Sequence, residues 1–218
     1  MTGALALVAA LAAAIAGLPE TPLPANHPST LPDALFTKFH EQDGIVIRTA
    51  TVDGLTVVRS TTLLPAQPDL AAGILADVVS WSGWVKRLES SKRLDGDPPA
   101  FWLRFDAPWP FADRDYAIVP AVSKDAAGNQ ILWWESGASR LPPPGPHTIR
   151  VTNIRGGIVF LPGEDPGTTR IVYTDVAVLG GKLPRWAIRE SYRRGPVGIL
   201  GALRRKLTAR LAVANDSK

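Results

Sequence analysis

The sequence predicts an α+β domain in which a run of short antiparallel strands is followed by one long C-terminal helix. Between residues 45 and 178, short stretches rich in β-branched and aromatic residues alternate with turn signals, a spacing typical of an antiparallel meander. From residue 183 to residue 211, apolar residues recur near the spacing of a helix. The chain has 218 residues, 45% of them hydrophobic and 20% charged, which indicates one globular domain with a substantial core.

The first 16 residues form an uncharged apolar run that ends in Ala14, Ile15 and Ala16, a small-x-small pattern. This run predicts a signal peptide cleaved near Gly17, and therefore an exported protein that is periplasmic or secreted. No lysine or arginine precedes the run, so a cytoplasmic protein and an N-terminal membrane anchor stay open as alternatives. The run is slightly short for a bilayer span of about 20 residues, which favours cleavage over anchoring.

A linker and then the ordered domain are predicted to follow. Residues 17–32 carry five prolines and few core residues, a composition typical of an extended linker. The domain is expected over residues 33–213, with residues 214–218 as a tail. Asp33 is expected to cap a short apolar turn over residues 34–39.

The first strands and the first helix have clear local signals. Residues 45–52 and 55–63 are rich in β-branched residues, and Asp53-Gly54 between them predicts a hairpin. Pro68 and Asp69 then open a helix predicted to run to residue 79. Further strands are expected at residues 99–106, 115–122, 130–135, 147–154, 158–161 and 168–178.

A stiff loop is predicted where residues 107–116 read Ala-Pro-Trp-Pro-Phe-Ala-Asp-Arg-Asp-Tyr. Each proline lacks an amide donor and fixes its own φ, so this stretch cannot lie within a central strand. The loop places Trp109 and Phe111 at its tip. Two interpretations stay open: a buried aromatic plug whose neighbouring charges pair with one another, or a lid or membrane-facing loop over a cavity.

The predicted C-terminal helix holds most of the positive charge. Residues 182–210 contain nine basic residues and one acidic residue, Glu190, a net charge of +8. Because the whole chain carries +4, the remainder carries about −4. The block is interpreted either as a solvated helix face or as a surface that holds the protein transiently near anionic lipid. No recognised reader motif is present, so no nucleic-acid partner is expected.

Several kinds of chemistry are excluded or disfavoured. The chain contains no cysteine, which excludes disulfides and thiolate chemistry, and only three histidines, His27, His40 and His147. No metal-ligand spacing, nucleophile elbow or phosphate-binding glycine motif occurs. We therefore expect no metal, no cofactor and no catalytic residues.

Three segments together resemble a known family. They are residues 81–84 (Trp-Ser-Gly-Trp), residues 108–116 (Pro-Trp-Pro-Phe-Ala-Asp-Arg-Asp-Tyr) and residues 180–186 (Gly-Gly-Lys-Leu-Pro-Arg-Trp), the last opening a long helix with an internal Gly-Pro. The chain resembles a START domain, the StAR-related lipid-transfer family, over about residues 33–213. The resemblance implies a helix-grip (START/Bet v 1-like) fold, in which a curved antiparallel sheet wraps the C-terminal helix and encloses an apolar cavity for one lipid.

The resemblance also implies where the cavity opens. Residues 107–113 and 180–186 would border its mouth. Within the strands, Arg104 and Asp106 share a face with Trp102 and could provide a polar spot in the pocket, although a surface position for Arg104 is an equal alternative. The expected ligand-binding residues are Trp102, Arg104, Asp106, Trp109, Phe111, Tyr116, Trp133, Trp134, Tyr173, Leu183, Trp186 and Tyr192. Because Trp133 and Trp134 are adjacent in a strand, only one of them can face the cavity.

Two functions are compatible with these observations. The first is non-catalytic binding, and transfer between membranes, of a single sterol, phospholipid or fatty-acid-like lipid by a monomer. The alternative is an enzyme of the polyketide cyclase or aromatase kind, which would need acid and base groups inside the cavity.

Overall fold

The computed structural model describes residue 15 and residues 17–216. The predicted signal peptide therefore lies, apart from Ile15, outside the described residues. The strands are β1 (Thr37–Gln42), β2 (Ile45–Val52), β3 (Leu55–Leu64), β4 (Leu88–Leu94), β5 (Ala100–Phe105), β6 (Asp113–Lys124), β7 (Gln130–Ser136), β8 (Thr148–Arg150), β9 (Ile154–Pro162) and β10 (Thr169–Ala177). The α-helices are α1 (Pro68–Ala76) and α2 (Arg185–Asp216).

All ten strands form one curved sheet, in the order β1-β2-β3-β10-β9-β7-β6-β5-β4. Every pairing along this path is antiparallel, and β8 is added beside β6 as a short parallel strand. The predicted hairpin at Asp53-Gly54 joins β2 to β3, and both turn residues have the positive φ that such a turn requires. The predicted antiparallel meander is therefore present. The pairing of β3 with β10 joins the first three strands to the last strand.

The two α-helices pack on the inner face of the sheet. Helix α2 lies against β2 and β3, and α1 lies against β7 and β9. Leu200, Leu203 and Leu207 are fully buried, and their spacing places them on one side of α2. The same hydrophobic core includes Ile45 and Ile47 of β2 and also α1. Helix α2 is continuous through Pro196.

The element predicted over residues 34–39 is wrong. The expected apolar turn over residues 34–39 is limited to a 3-10 turn at Asp33–Leu35, and the chain then enters β1. Residues 37–42 pair with residues 45–49 through a hairpin at Asp43 and Gly44. Pairing with β2 supplies backbone hydrogen bonds that one isolated helical turn cannot, so tertiary structure overrides the local signal.

The proline-rich segment that we interpreted as a linker packs against the sheet. The amide of Thr21 donates to the carbonyl of Val122 at 2.9 Å, and the amide of Val122 donates to the carbonyl of Pro19 at 3.0 Å. Farther along, His27 is completely buried and its ring lies 5.7 Å from that of Trp133. The segment therefore contributes contacts to the folded unit instead of standing away from it.

Candidate ligand-binding cavity

An internal cavity of about 670 Å³ lies between the sheet and helix α2. This volume falls within the range of roughly 300–1,000 Å³ that is usual for small-molecule sites. Its inner wall is mostly apolar. The buried apolar lining residues are Val58, Leu75, Trp81, Ile118, Trp134, Val151, Ile154, Ile158 and Tyr173.

The cavity reaches solvent between a loop and the start of helix α2. We call residues 106–112, between β5 and β6, the Pro-Trp-Pro loop. Trp109 in this loop is 92% exposed and Trp186 in the first turn of α2 is 65% exposed, yet both line the cavity. The ring of Phe111 lies 5.9 Å from that of Trp186. The exposure of Trp109 rules out the aromatic plug as the role of this residue.

The base of the Pro-Trp-Pro loop is held by Asp113. Its carboxylate accepts hydrogen bonds from the amide of Ala107 at 3.1 Å and from the guanidinium of Arg104 at 2.7 Å. The hydrogen bond from Arg104, and after it that from Ala107, holds the pKa of Asp113 below its ordinary value. Asp113 thus pairs with Arg104 on β5, whereas the plug interpretation had the neighbouring charges Asp113, Arg114 and Asp115 pair with one another. The ion pair with Arg104 anchors the loop from outside the cavity.

Arg114 joins this loop to the segment before helix α2. Its guanidinium donates to the carbonyls of Ala112, Leu179 and Gly180 and lines the cavity. Burial lowers the pKa of this group from its ordinary value. The two sides of the mouth are thus connected by one side chain.

The Gly180-Gly181 pair is required by the backbone of this segment. Both residues have positive φ, 66° and 68°. A Cβ atom at Gly181 would lie 2.6 Å from Cδ1 of Ile149. The double glycine therefore allows the chain to pass beneath β8 before α2 begins.

Polar groups are few on the inner wall, and one of them is a carboxylate. Asp175 of β10 lines the cavity, and its Oδ1 atom is buried without a hydrogen-bond partner among the described residues. Burial raises the pKa of Asp175 to about 7. Burial, and secondarily the charge of Asp175, also raises the pKa of the phenols of Tyr116 and Tyr173.

The START domain family model matches residues 37–208, which is most of the chain. The chain belongs to this family. Among solved structures, this START domain is similar to a STAR-related lipid transfer protein fragment from Xanthomonas axonopodis, with 24% identity, a TM-score of 0.70, and coverage of 80% of this chain and 99% of that one. It is also similar to human StAR-related lipid transfer protein 5, with 15% identity, a TM-score of 0.70, and coverage of 95% and 98%.

At these identities the two structures show a shared fold. The predicted resemblance and the predicted helix-grip fold are both confirmed. No curated protein matches this START domain. Among the described residues, no helix is long and apolar enough to cross a membrane. The same part of the chain contains no group of three or more potential metal-ligating side chains.

Most of the residues expected to bind ligand do line the cavity of this START domain. They are Asp106, Trp109, Phe111, Tyr116, Trp134, Tyr173, Leu183, Trp186 and Tyr192. Strand alternation places the adjacent Trp133 and Trp134 on opposite faces of the sheet. Trp134 faces the cavity and lies 6.0 Å from the ring of Tyr173, whereas Trp133 faces outward and donates to the carbonyl of Thr21.

Trp102, Arg104 and Trp133 do not line the cavity, so their expected role is corrected. Trp102 donates from its indole to Asp115, which is buried on the outer face of the sheet. Arg104 lies on that face between Asp113 and Glu89. Side chains alternate along β5, so Leu103 and Phe105 turn inward and these two must turn outward. Asp106, just after the strand, lines the cavity and pairs with Arg87 at 3.3 Å.

Asp175 was missed by the sequence reasoning, although a signal for it existed. It lies two residues after Tyr173 in a β-branched strand, and the alternation of strand side chains puts both on one face. Gly156, its partner on β9, is the second signal. A Cβ atom there would lie 2.8 Å from the Trp134 ring and 3.0 Å from Oδ1 of Asp175, so glycine leaves the space that both occupy.

The basic residues of helix α2 do not form one uniformly exposed face. Arg193 donates to Gln42 at 3.0 Å, Arg204 donates to the carbonyl of Asp43, and Arg189 lies over the ring of Phe39. These contacts attach α2 to the β1–β2 hairpin. By contrast, Lys182 and Arg185 beside the mouth are exposed and form no ion pair within the described residues.

Proposed function

We propose that this START domain binds one hydrophobic lipid (a sterol, a phospholipid or a fatty-acid-like molecule) in its cavity and transfers it between membranes without chemical change. The observation that carries the proposal is the cavity of about 670 Å³, whose buried wall is apolar and whose opening lies between exposed aromatic side chains. Removing apolar ligand surface from water contributes about 25 cal/mol per Å², so such a wall supplies affinity without specific chemistry. The two similar structures named as lipid transfer proteins also support it.

Nucleophilic catalysis is disfavoured by the composition of the wall. Among the described residues that line the cavity there is no histidine, and Ser191, a hydroxyl that does line it, donates to the carbonyl of Ile188 in its own helix. A hydroxyl activated by a neighbouring histidine is therefore missing from the described lining.

The mouth has the properties of a surface that docks transiently on an anionic membrane. Trp109 and Trp186 are large, exposed and amphipathic, which is typical of side chains that enter the headgroup region. Lys182 and Arg185 add positive charge beside them, worth about 1 kcal/mol each near an anionic surface. Docking there would bring the cavity opening to the lipid. We further propose that the protein acts as a monomer and is exported.

Native mass spectrometry of the purified chain tests the binding proposal. We expect a single co-purifying apolar ligand, at one copy per chain, that is lost on organic extraction and regained from vesicles. Ile158→Trp, which projects a larger ring into the cavity, should bind less ligand, whereas Arg170→Met on the exposed side of β10 should keep it. Ligand-free protein that takes up no lipid from vesicles would contradict the proposal, and turnover of an aromatic polyketide precursor would favour the cyclase alternative.

A further inference from the structure

The carboxylates that line the cavity differ in their partners. Asp106 pairs with Arg87, and Glu190 accepts hydrogen bonds from Arg193 and Arg194. Asp175 forms neither a hydrogen bond nor an ion pair through its side chain among the described residues, and its Oδ1 atom is buried. An unpaired carboxylate oxygen in an apolar wall is costly unless a partner reaches it, and a bound ligand can be that partner.

The wall around Asp175 is shaped to keep its carboxylate at the cavity surface. In the sheet, Asp175 is paired with Gly156 on β9 and with Val58 on β3, and Gly156 in turn is paired with Trp134 on β7. The glycine leaves room for the carboxylate and for the indole, as described above. On one side of Asp175 there is thus an aromatic ring, and on the other an aliphatic residue, with no cation in either position.

The remaining polar groups of the cavity do not supply a cation to Asp175. From β6 and β10, the phenols of Tyr116 and Tyr173 face the same space, and the structure shows no hydrogen bond from either hydroxyl within the described residues. Arg114 is bound to the carbonyls of Ala112, Leu179 and Gly180, and Arg194 of α2 is paired with Glu190. Neither arginine lies within ion-pair distance of Asp175.

We propose that Asp175, with the phenols of Tyr116 and Tyr173 beside it, forms a polar subsite that selects a ligand with a hydrogen-bond donor at one end of an apolar body. The donor is a hydroxyl or a protonated amine, and it donates to Oδ1 of Asp175. The phenols can donate to or accept from the same head group. This inference rests on the proposed function, because it names the chemical class of the ligand that the cavity takes.

Above pH 7, where Asp175 is ionised, a ligand without a donor would leave Oδ1 unpaired in the filled cavity. Leaving one buried acceptor without a hydrogen bond should weaken ligand affinity roughly tenfold to a hundredfold. A hydroxyl needs only an acceptor, so it would tolerate Asp175→Asn, which keeps one amide oxygen. A protonated amine also needs the negative charge, so it would lose affinity in the same variant.

Competition binding with three matched probes tests the subsite: 1-dodecanol, dodecyl methyl ether and dodecylamine, each displacing an apolar fluorescent dye. In the wild-type chain, the alcohol or the amine should bind roughly tenfold or more tightly than the ether. Asp175→Leu should abolish that preference and leave ether binding unchanged or stronger. Asp175→Asn then identifies the donor, because a retained alcohol preference indicates a hydroxyl and a lost amine preference indicates an ammonium group.

The outcomes separate this inference from the proposed function. If all three probes bind the wild-type chain equally well, the subsite is wrong while the hydrophobic cavity stands. If neither the dye nor any probe binds, both are wrong. The wild-type comparison decides the question even if Asp175→Leu fails to fold. Asp165→Asn, at an exposed carboxylate between β9 and β10 outside the cavity lining, serves as the control and should keep the wild-type preference.

Discussion

The ring of Phe111 in the Pro-Trp-Pro loop lies 5.9 Å from the ring of Trp186 in the first turn of helix α2. This contact joins the two sides of the cavity mouth, where we expect a ligand to leave. Phe111→Ala and Trp186→Ala should each speed ligand release about 2- to 10-fold, in line with the value of an aromatic pair. Because both changes break the same contact, the double variant should release ligand no faster than the faster single variant. Stopped-flow dye displacement measures all three rates, and multiplicative effects would show that the contact does not close the mouth.

Trp109→Ala should separate membrane docking from folding. Since the side chain is 92% exposed, the free energy of unfolding should change by less than about 0.5 kcal/mol. Transfer of ligand between vesicles should slow, while equilibrium affinity for the ligand changes less. Leu63→Ala, at an exposed position of β3 away from the cavity lining, is the control and should leave transfer unchanged. Normal transfer by a stable Trp109→Ala protein would count against docking through this loop.

Salt should slow transfer from anionic vesicles but not from neutral ones, because ions screen attraction between exposed charges and an anionic surface. The residues expected to carry this effect are Lys182 and Arg185. The double variant Lys182→Gln, Arg185→Gln should therefore transfer slowly from anionic vesicles at low salt and respond weakly to added salt. Arg205→Gln is the control, because it removes one positive charge from an exposed position elsewhere on α2. A salt response equal in both vesicle types would argue against electrostatic docking.

The ion pair between Arg150 and Asp115 should matter for stability more than any exposed pair. The Asp115 carboxylate accepts two hydrogen bonds from the guanidinium at 2.8 Å each and one from the Trp102 indole at 3.0 Å, and its side chain is only 4% exposed. Arg150→Met should cost about 3–5 kcal/mol by leaving a buried charge unpaired. Arg170→Met, at an exposed arginine of β10, should be nearly neutral, and urea unfolding compares the two.

That ion pair also has an expected pH dependence. Burial by itself would raise the pKa of Asp115, but hydrogen bonds from Arg150 and Trp102 and the nearby positive charges more than offset it, so the pKa is lowered. The stabilisation is therefore complete above the unfolded pKa of about 3.9 and is lost as pH falls through the lower folded value. If Arg150→Met and Arg170→Met lose equal amounts of unfolding free energy, the Arg150–Asp115 ion pair does not have the expected role in stability.

Asp175 should destabilise the ligand-free protein as pH rises. Its folded pKa is about 7 and its unfolded value is about 3.9, so between these values the folded state holds a proton that the unfolded state has released. Stability should fall across this window, by at most about 1.4 kcal/mol per pH unit, and level off above pH 7. The Asp175→Asn protein should lack this loss of stability with rising pH. The difference in unfolding free energy between the two proteins should shrink as pH falls, and parallel profiles would show that Asp175 is not buried as a neutral acid.

Several features of this START domain could be predicted from local sequence. Asp53-Gly54 can adopt the positive φ of a tight hairpin, the apolar residues Leu200, Leu203 and Leu207 recur at helical spacing, and prolines exclude residues 108–110 from a strand. These signals act over a few residues, so each is complete within its own segment. Combined with the three segments that resemble the family, they were enough to predict the fold and the position of the mouth.

Only the tertiary structure decided which side chains face the cavity. Strand alternation shows that Trp133 and Trp134 point in opposite directions, and that Trp102 and Arg104 point the same way, but not which direction is inward. That choice depends on how the sheet curves around α2 and on where the N-terminal segment packs, both of which are long-range. The same holds for Asp175. The wall around its carboxylate includes β3 and β7, which are far from β10 in the chain, as well as the neighbouring strand β9.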